Sequence, residues 1–346
     1  MIWLTWRQFR VAALTALGGL AVFGLALAVT GPRLAQEFHL SGLAGCASEA
    51  ACANAQQSFA FQVRQTGIDL PLYFLGIALT YLIAAVIGMF WGAPLVAREL
   101  EAGTFRLVWT QGVSRTRWLA VKLALVGLAA TTATGVLSLA VTWWSQPIDR
   151  ANGRPAADAG LALPDRFAPL IFGSRGIAPI GSAAFAFALG VAAGVMLRRT
   201  VPAMALTLAL LAGVQVLVPA VLRAHYEAPT VSSTALVLTP DRPQSLQLRD
   251  GKLTVAAPVT MPGAWITSVR TVDSAGNAAA PAIPPPCADP AGSLADCDEA
   301  INALRLRQTV TYYPAHRFWL FQWYELGLYL ALTALLTAVC TRRMRP

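Results

Sequence analysis

LPLYFLGIALTYLIAAVIGMFWGAPLV, residues 70–96, runs for 27 positions without a charged side chain. A helix needs about 20 apolar residues to cross the hydrocarbon of a bilayer, and only a helix or a closed barrel satisfies its backbone there. The run therefore predicts a membrane-spanning helix. It leads into ARELEAGTFRLVWTQGVSRTR (97–117), a short basic connector, and then into a second apolar run at 118–144. Outward from this pair, the same reading finds spans at 11–30, 179–197, 201–222 and 318–341. Pro202 falls in the first turn of its run, where a missing N–H costs little. Pro219 should bend or close the same helix. With 56% hydrophobic and 12% charged residues, the chain holds more apolar surface than a soluble core of 346 residues requires.

Six spans place both termini on one side, and charge identifies that side. The segments grouped with the termini carry Arg7, Arg10, Arg98, Arg106, Arg115, Arg117, Lys122, Arg198, Arg199, Arg342, Arg343 and Arg345 against only Glu99 and Glu101, a net of +10. The remainder is −1, spread over long loops. This is the positive-inside pattern. It predicts a multi-pass protein of a bacterial plasma membrane with cytoplasmic termini, and it accounts for the overall +9 without nucleic acid as a partner. The cysteines agree: Cys46 and Cys52 form one close pair and Cys287 and Cys297 another, both in loops assigned outside, where disulfides persist. Cys340 stands alone at the inner end of the last span. A cleaved signal peptide, with Ala26-Leu27-Ala28 as its site, is the rival reading of the first span and would leave five.

The expected fold is an all-α polytopic membrane protein with a small β-rich extracytoplasmic insertion before the last helix. Residues 1–223 form a transmembrane domain with five spans, 224–316 the insertion, and 317–346 the last span with a basic tail. The outer segment 31–69 is polar and partly helical around 49–64, and 145–178 reads as an irregular loop. In the insertion, β-type runs fall at 235–239, 245–248, 252–255 and 265–272, with Asp250-Gly251 as a hairpin turn between the middle two. Residues 278–286 read as an extended connector.

Chemistry of its own is not legible in the chain. GxxxxGK[ST], HExxH, GxSxG and GxGxxG are all absent, so no nucleotide, zinc-protease, serine-hydrolase or dinucleotide motif is present. No CxxC occurs and His39, His225 and His316 are scattered, so no metal site is expected. The connector holds the information. Gly103 can end the second span's helix, and Thr104 can cap a short new one that puts Phe105, Val108 and Trp109 on one face. Gly112 stops it, and Ser114 or Thr116 caps the third span. Topology asks for arginines here but not for Glu99 and Glu101. From these residues alone the connector reads as a solvated link touching anionic lipid, with Glu99 and Glu101 counting against that reading.

Arg98-Glu99-x-Glu101-x-Gly103-Thr104-x-Arg106-Leu107-x-Trp109-Thr110-Gln111-x-Val113-x-Arg115-x-Arg117-Trp118, followed by Lys122, resembles the first cytoplasmic loop of type-2 ABC-transporter permeases, in the version found in actinobacterial exporters. Trp3-Leu4-Thr5-Trp6-Arg7-Gln8-Phe9-Arg10 resembles their amphipathic N-terminal elbow. The resemblance covers roughly 35 residues at the sequence level and the six-span layout throughout. It implies that the connector is a coupling helix seated on a separately encoded ABC ATPase, with Glu99, Glu101, Gly103, Thr104, Arg106, Gln111, Arg115 and Arg117 as candidate contacts. ATP and magnesium would then be bound by the partner and not by this chain. A second permease chain, identical or not, would complete the transporter.

Candidates in a substrate path are Gln215, Gln322 and Glu325. Intramembrane acids mark functional sites by default. Trp319, Trp323 and Tyr324 resemble an outer aromatic belt, so Glu325 also reads as an interfacial carboxylate paired with Arg317 or Arg223. Gln215 reads as an interhelical hydrogen bond or a ligand contact, and Gly190-x-x-x-Gly194 as a site of close helix packing. Two functions from different classes remain: the permease of an exporter of hydrophobic or amphipathic cargo (drug, lipid or peptide), and a non-transporting membrane-anchored sensor or immunity protein whose external part binds an envelope ligand.

Overall fold

The computed structural model describes residues 2–103, 114–153, 165–237, 245–249, 252–256, 259, 261–279, 281–288 and 293–344. Six helices in it are long and apolar enough to cross a membrane: Phe9–Leu40, Asp69–Glu101, Thr116–Trp144, Ala178–Leu197, Thr200–His225 and Ala315–Met344. Each contains one of the runs read from the sequence. The first belongs to α1, Ile2–Leu40, so the elbow segment forms the opening turns of one continuous helix. Next come α2 (Glu49–Gln65) and α3 (Asp69–Val86), then a π-helical turn at Ile87–Gly92 and α4 (Ala93–Glu101). The third span is α5 (Arg115–Trp144), followed by the short α6 (Gln146–Asn152) and α7 (Pro169–Phe172). The fourth and fifth spans are α8 (Ala178–Leu197) and α9 (Thr200–Leu217), the fifth running on through a π-helical turn at Val218–Leu222 that contains Pro219. After α10 (Pro285–Ala288) and α11 (Leu294–Ala303), α12 (Phe318–Met344) is the last.

The first helix is longer than its apolar run. The span read from the sequence ends at Thr30, yet the helix continues to Leu40 with Pro32 inside it. Packing outweighs the lost backbone hydrogen bond. Leu34 and Phe38 are buried against Phe59 and Val63 of α2, with the Phe38 and Phe59 rings edge to face at 5.8 Å. Arg33 adds a 2.7 Å ion pair to buried Asp69 at the start of the second span.

The fourth span is the hub: 78% of its most apolar stretch is buried, against 17% for the first, fifth and sixth. Small residues let it serve this way, because backbones can approach where side chains are missing. A Cβ on Gly190 would strike the Gly88 carbonyl, and one on Gly194 would lie 2.6 Å from the Ala93 carbonyl. From the facing helix, a Cβ on Gly92 would lie 2.6 Å from the Phe187 carbonyl. Within the chain, Gly190 thus packs against Gly88 and Gly92, and Gly194 against Ala93 and Ala97.

Between the fifth and sixth spans, β1 (Thr230–Ala235), β5 (Arg307–Tyr313) and β4 (Trp265–Val272) form an antiparallel sheet in the order β1-β5-β4. A separate hairpin pairs β2 (Ser245–Arg249) with β3 (Lys252–Ala256). The run expected at 235–239 meets β1 only at Ala235, and 238–239 lie outside the described residues, as does the 250–251 turn. The central strand β5 was not foreseen. It buries Gln308, Val310 and Tyr313, and its strand character depends on the two neighbours it pairs with. An aromatic cluster of Phe167, Phe172, Tyr313, Phe318 and Phe321 seats the sheet on the helix ends. Cys46 is bonded to Cys52 and Cys287 to Cys297, and Cys340 is a buried free thiol.

Candidate functional site

The connector between the second and third spans is framed by defined termini. Gly103 has φ +68°, a left-handed conformation that glycine takes without strain at a helix C-terminus. On the far side, the Ser114 hydroxyl accepts from the Arg117 N–H at 3.3 Å and caps α5. Thr104, Arg106 and Gln111, with the short helix expected around them, lie outside the described residues. Arg115 opens α5, and Arg117 is exposed.

The two acids of this end make contacts within the chain. Glu99 accepts a 2.5 Å ion pair from Lys122, which is 4% exposed. The Lys122 ammonium also donates to the Leu95 carbonyl at 3.3 Å and lies 4.5 Å from the centre of the Trp118 ring. Second and third spans are thereby joined at their ends. Glu101 accepts from the Thr200 N–H at 3.2 Å and its hydroxyl at 2.8 Å. A carboxylate there meets the positive end of the fifth span's helix. Between spans four and five, Arg198 takes a left-handed φ of 52° in a tight basic turn. Lys122 and Thr200 were missed as partners because each is far in sequence from its acid.

At the opposite end, Arg223 donates through Nε and Nη2 to the two carboxylate oxygens of Glu325, each at 3.2 Å. Both side chains are buried, with 1% and 3% exposure. The Arg223 guanidinium lies 4.0 Å from the centre of the Phe172 ring. Arg317, the other partner considered for Glu325, pairs instead with Glu227 at 3.1 Å. Gln322, one turn before Glu325, accepts from the Ile177 and Ala178 N–H groups at 3.1 and 2.8 Å and donates to the Phe172 carbonyl at 3.1 Å. It thus satisfies donors that the fourth span's helix leaves unpaired. Gln215 is half-buried on the fifth span. The structure therefore brings Gln322 and Glu325 onto one face that clamps spans four, five and six. Among the described residues no group of three metal-ligating side chains occurs.

Residues 17–223 match the ABC-2 membrane transporter related family. No curated protein and no solved structure gives a match. The matched segment holds the body of the first five spans, the connector and both acids of its flanks. With more than half its length matched, the chain belongs to the ABC-2 membrane transporter related family and is a membrane-embedded component of a transporter rather than an enzyme.

Proposed function

We propose that this chain is the permease subunit of an ATP-binding-cassette exporter in a bacterial plasma membrane, with both termini cytoplasmic. Residues 1–223 would form the transmembrane domain, 224–316 an external insertion and 317–346 the last span. A separately encoded ABC ATPase drives it, binding ATP and magnesium, and a second permease chain completes the assembly. The cargo is hydrophobic or amphipathic. The observation that carries this reading is the family match across the connector, whose flanks are tied by Glu99 to the third span and by Glu101 to the fifth. Closure of the ATPase dimer would push on the connector, and the spans would shift between inward- and outward-open states. The work available is limited by the difference in ATPase affinity for those two states.

The test is co-purification with the ATPase encoded nearest this chain, then ATP hydrolysis and transport after reconstitution. Glu101→Ala with Arg106→Ala should uncouple hydrolysis from transport or weaken assembly. Thr200→Val separates the local cap from the subunit contact, because it removes the hydroxyl and leaves the carboxylate. Wild-type assembly and coupling in the double variant sink the assignment of the connector. A chain that never binds an ATPase favours the sensor reading.

A further inference from the structure

At the disulfide-bearing end, a cavity of about 620 Å³ opens between the end of the first span, α6, the first turn of α12 and the Pro262-Gly263 turn. Arg150, Arg166 and Arg175 line it, together with Asp149 and Asp165. The feature that needs explaining is Arg175, which is 1% exposed. Its Nη1 donates to Asp149 at 2.8 Å and also to the Ser145 hydroxyl. Among the described residues its Nε and Nη2, both buried, find no hydrogen-bond partner. The Tyr73 ring, 5.0 Å away, covers the guanidinium from one side. A guanidinium carries five donors in a rigid fork, and leaving charged donors buried and unpaired is costly. Arg166 repeats the pattern: its Nη2 donates to the Ala315 carbonyl at 2.6 Å, while its Nε is buried and unpartnered.

Among the described residues, three arginines against two aspartates leave the cavity wall with a net positive charge. Burial lifts the Asp149 and Asp165 carboxyls above the ordinary carboxylate range, partly opposed by neighbouring arginines, and lowers Arg166. The wall thus holds charges in poor solvation, with buried guanidinium donors that no described protein group satisfies. Phe318 and Trp319 add an apolar side, and Trp319, 49% exposed, opens the last span, at the depth where aromatic residues meet lipid headgroups.

We propose that this cavity binds an anionic phosphoryl group, held by the unsatisfied guanidinium donors of Arg175 and Arg166, with Arg150 at the mouth. Arginine forks match phosphate oxygens with paired donors. The phosphoryl group belongs either to the headgroup of an amphiphile or to a free phosphate, and the site is independent of the transport reading.

The test uses the full-length chain in a neutral detergent, titrated calorimetrically with dihexanoyl phosphatidylglycerol, inorganic phosphate and uncharged dihexanoylglycerol. Saturable binding of a phosphoryl probe, with none of dihexanoylglycerol, is expected. Arg175→Lys and Arg166→Gln should each weaken it at least about tenfold, as expected for a charge-assisted contact, while the unliganded melting profile is kept. Binding of phosphatidylglycerol alone assigns the headgroup, and equal binding of inorganic phosphate assigns the free anion. Either supports the site. No saturable phosphoryl binding, equal binding of dihexanoylglycerol, or wild-type affinity in the folded variants overturns it. Should Arg175→Lys not fold, the half-exposed Arg166→Gln decides.

Discussion

Removing half of the Arg223–Glu325 pair should be among the most damaging single changes in the chain. Glu325→Ala leaves a guanidinium that is 1% exposed, faces the Phe172 ring at 4.0 Å and has Nη1 already without a partner. Breaking a buried pair on one side costs about 3–5 kcal/mol, because the surviving charge is stranded. Replacing both charges by apolar groups avoids that penalty and is often close to neutral. Glu325→Ala is therefore expected to lose about 3–5 kcal/mol, and Arg223→Leu with Glu325→Leu to recover all but about 1 kcal/mol. Equilibrium unfolding of the full-length chain in mixed micelles, followed by far-ultraviolet circular dichroism, reads both numbers. A single variant within about 0.5 kcal/mol of wild type, or a double variant no better than the single, refutes the clamp and means that the carboxylate is hydrated. Transport by the double variant then separates roles: a structural clamp tolerates the exchange, whereas an acid in the substrate path does not.

Gly190→Ala should destabilise by about 1–3 kcal/mol, since its Cβ meets the backbone of Gly88 and Ala93 and neither can yield; Gly213→Ala, with nothing within 4 Å, should be neutral or slightly stabilising in the same melting assay. Gln322→Ala unpairs the Ile177 and Ala178 N–H groups and should cost about 1–3 kcal/mol, read as a lower melting temperature. Cys287→Ser with Cys297→Ser opens a link across a separation of 10 residues and should cost about 2.5 kcal/mol on chain-entropy grounds, detected as faster proteolysis between the fifth and sixth spans with the helical signal retained.

The six spans were legible because bilayer thickness imposes a length and a composition that few soluble segments imitate. Their ends were less so. The span read from the sequence ends at Thr30, and only Leu34 and Phe38, burying themselves against a helix some twenty residues later, carry α1 onward. The sheet divides the same way. Strand β4 and the β2–β3 pair follow from local β preference. Strand β5 is decided by the two partners that flank it, 72 to 82 residues away in β1, and no local pattern encodes that distance. The glycines at 190 and 194 were readable as a packing signal, but their counterparts at Gly88, Gly92 and Ala93 were hidden inside a run noted only for its apolarity.

The charged residues teach more than the apolar ones. Glu99 and Glu101 stand out in the sequence as acids that topology does not need, and the resemblance makes them candidate contacts with an ATPase. In the structure both act inside the chain, Glu99 on Lys122 of the third span and Glu101 on the first turn of the fifth. These roles do not compete with docking; they specify what docking could move. The second span ends on the connector, the third begins from it, and the fifth is bonded to its flank through Thr200. A push on residues 104–113 would therefore reach three spans together, and their close-packed neighbour, the fourth, could not stay behind, since its backbone touches the second span's at Gly88 and Ala93. At the far end the fourth, fifth and sixth spans are clamped by Gln322 and by the Arg223–Glu325 pair. On the proposed reading, motion entering at one end would have a continuous set of contacts along which to reach the Arg223–Glu325 pair at the other.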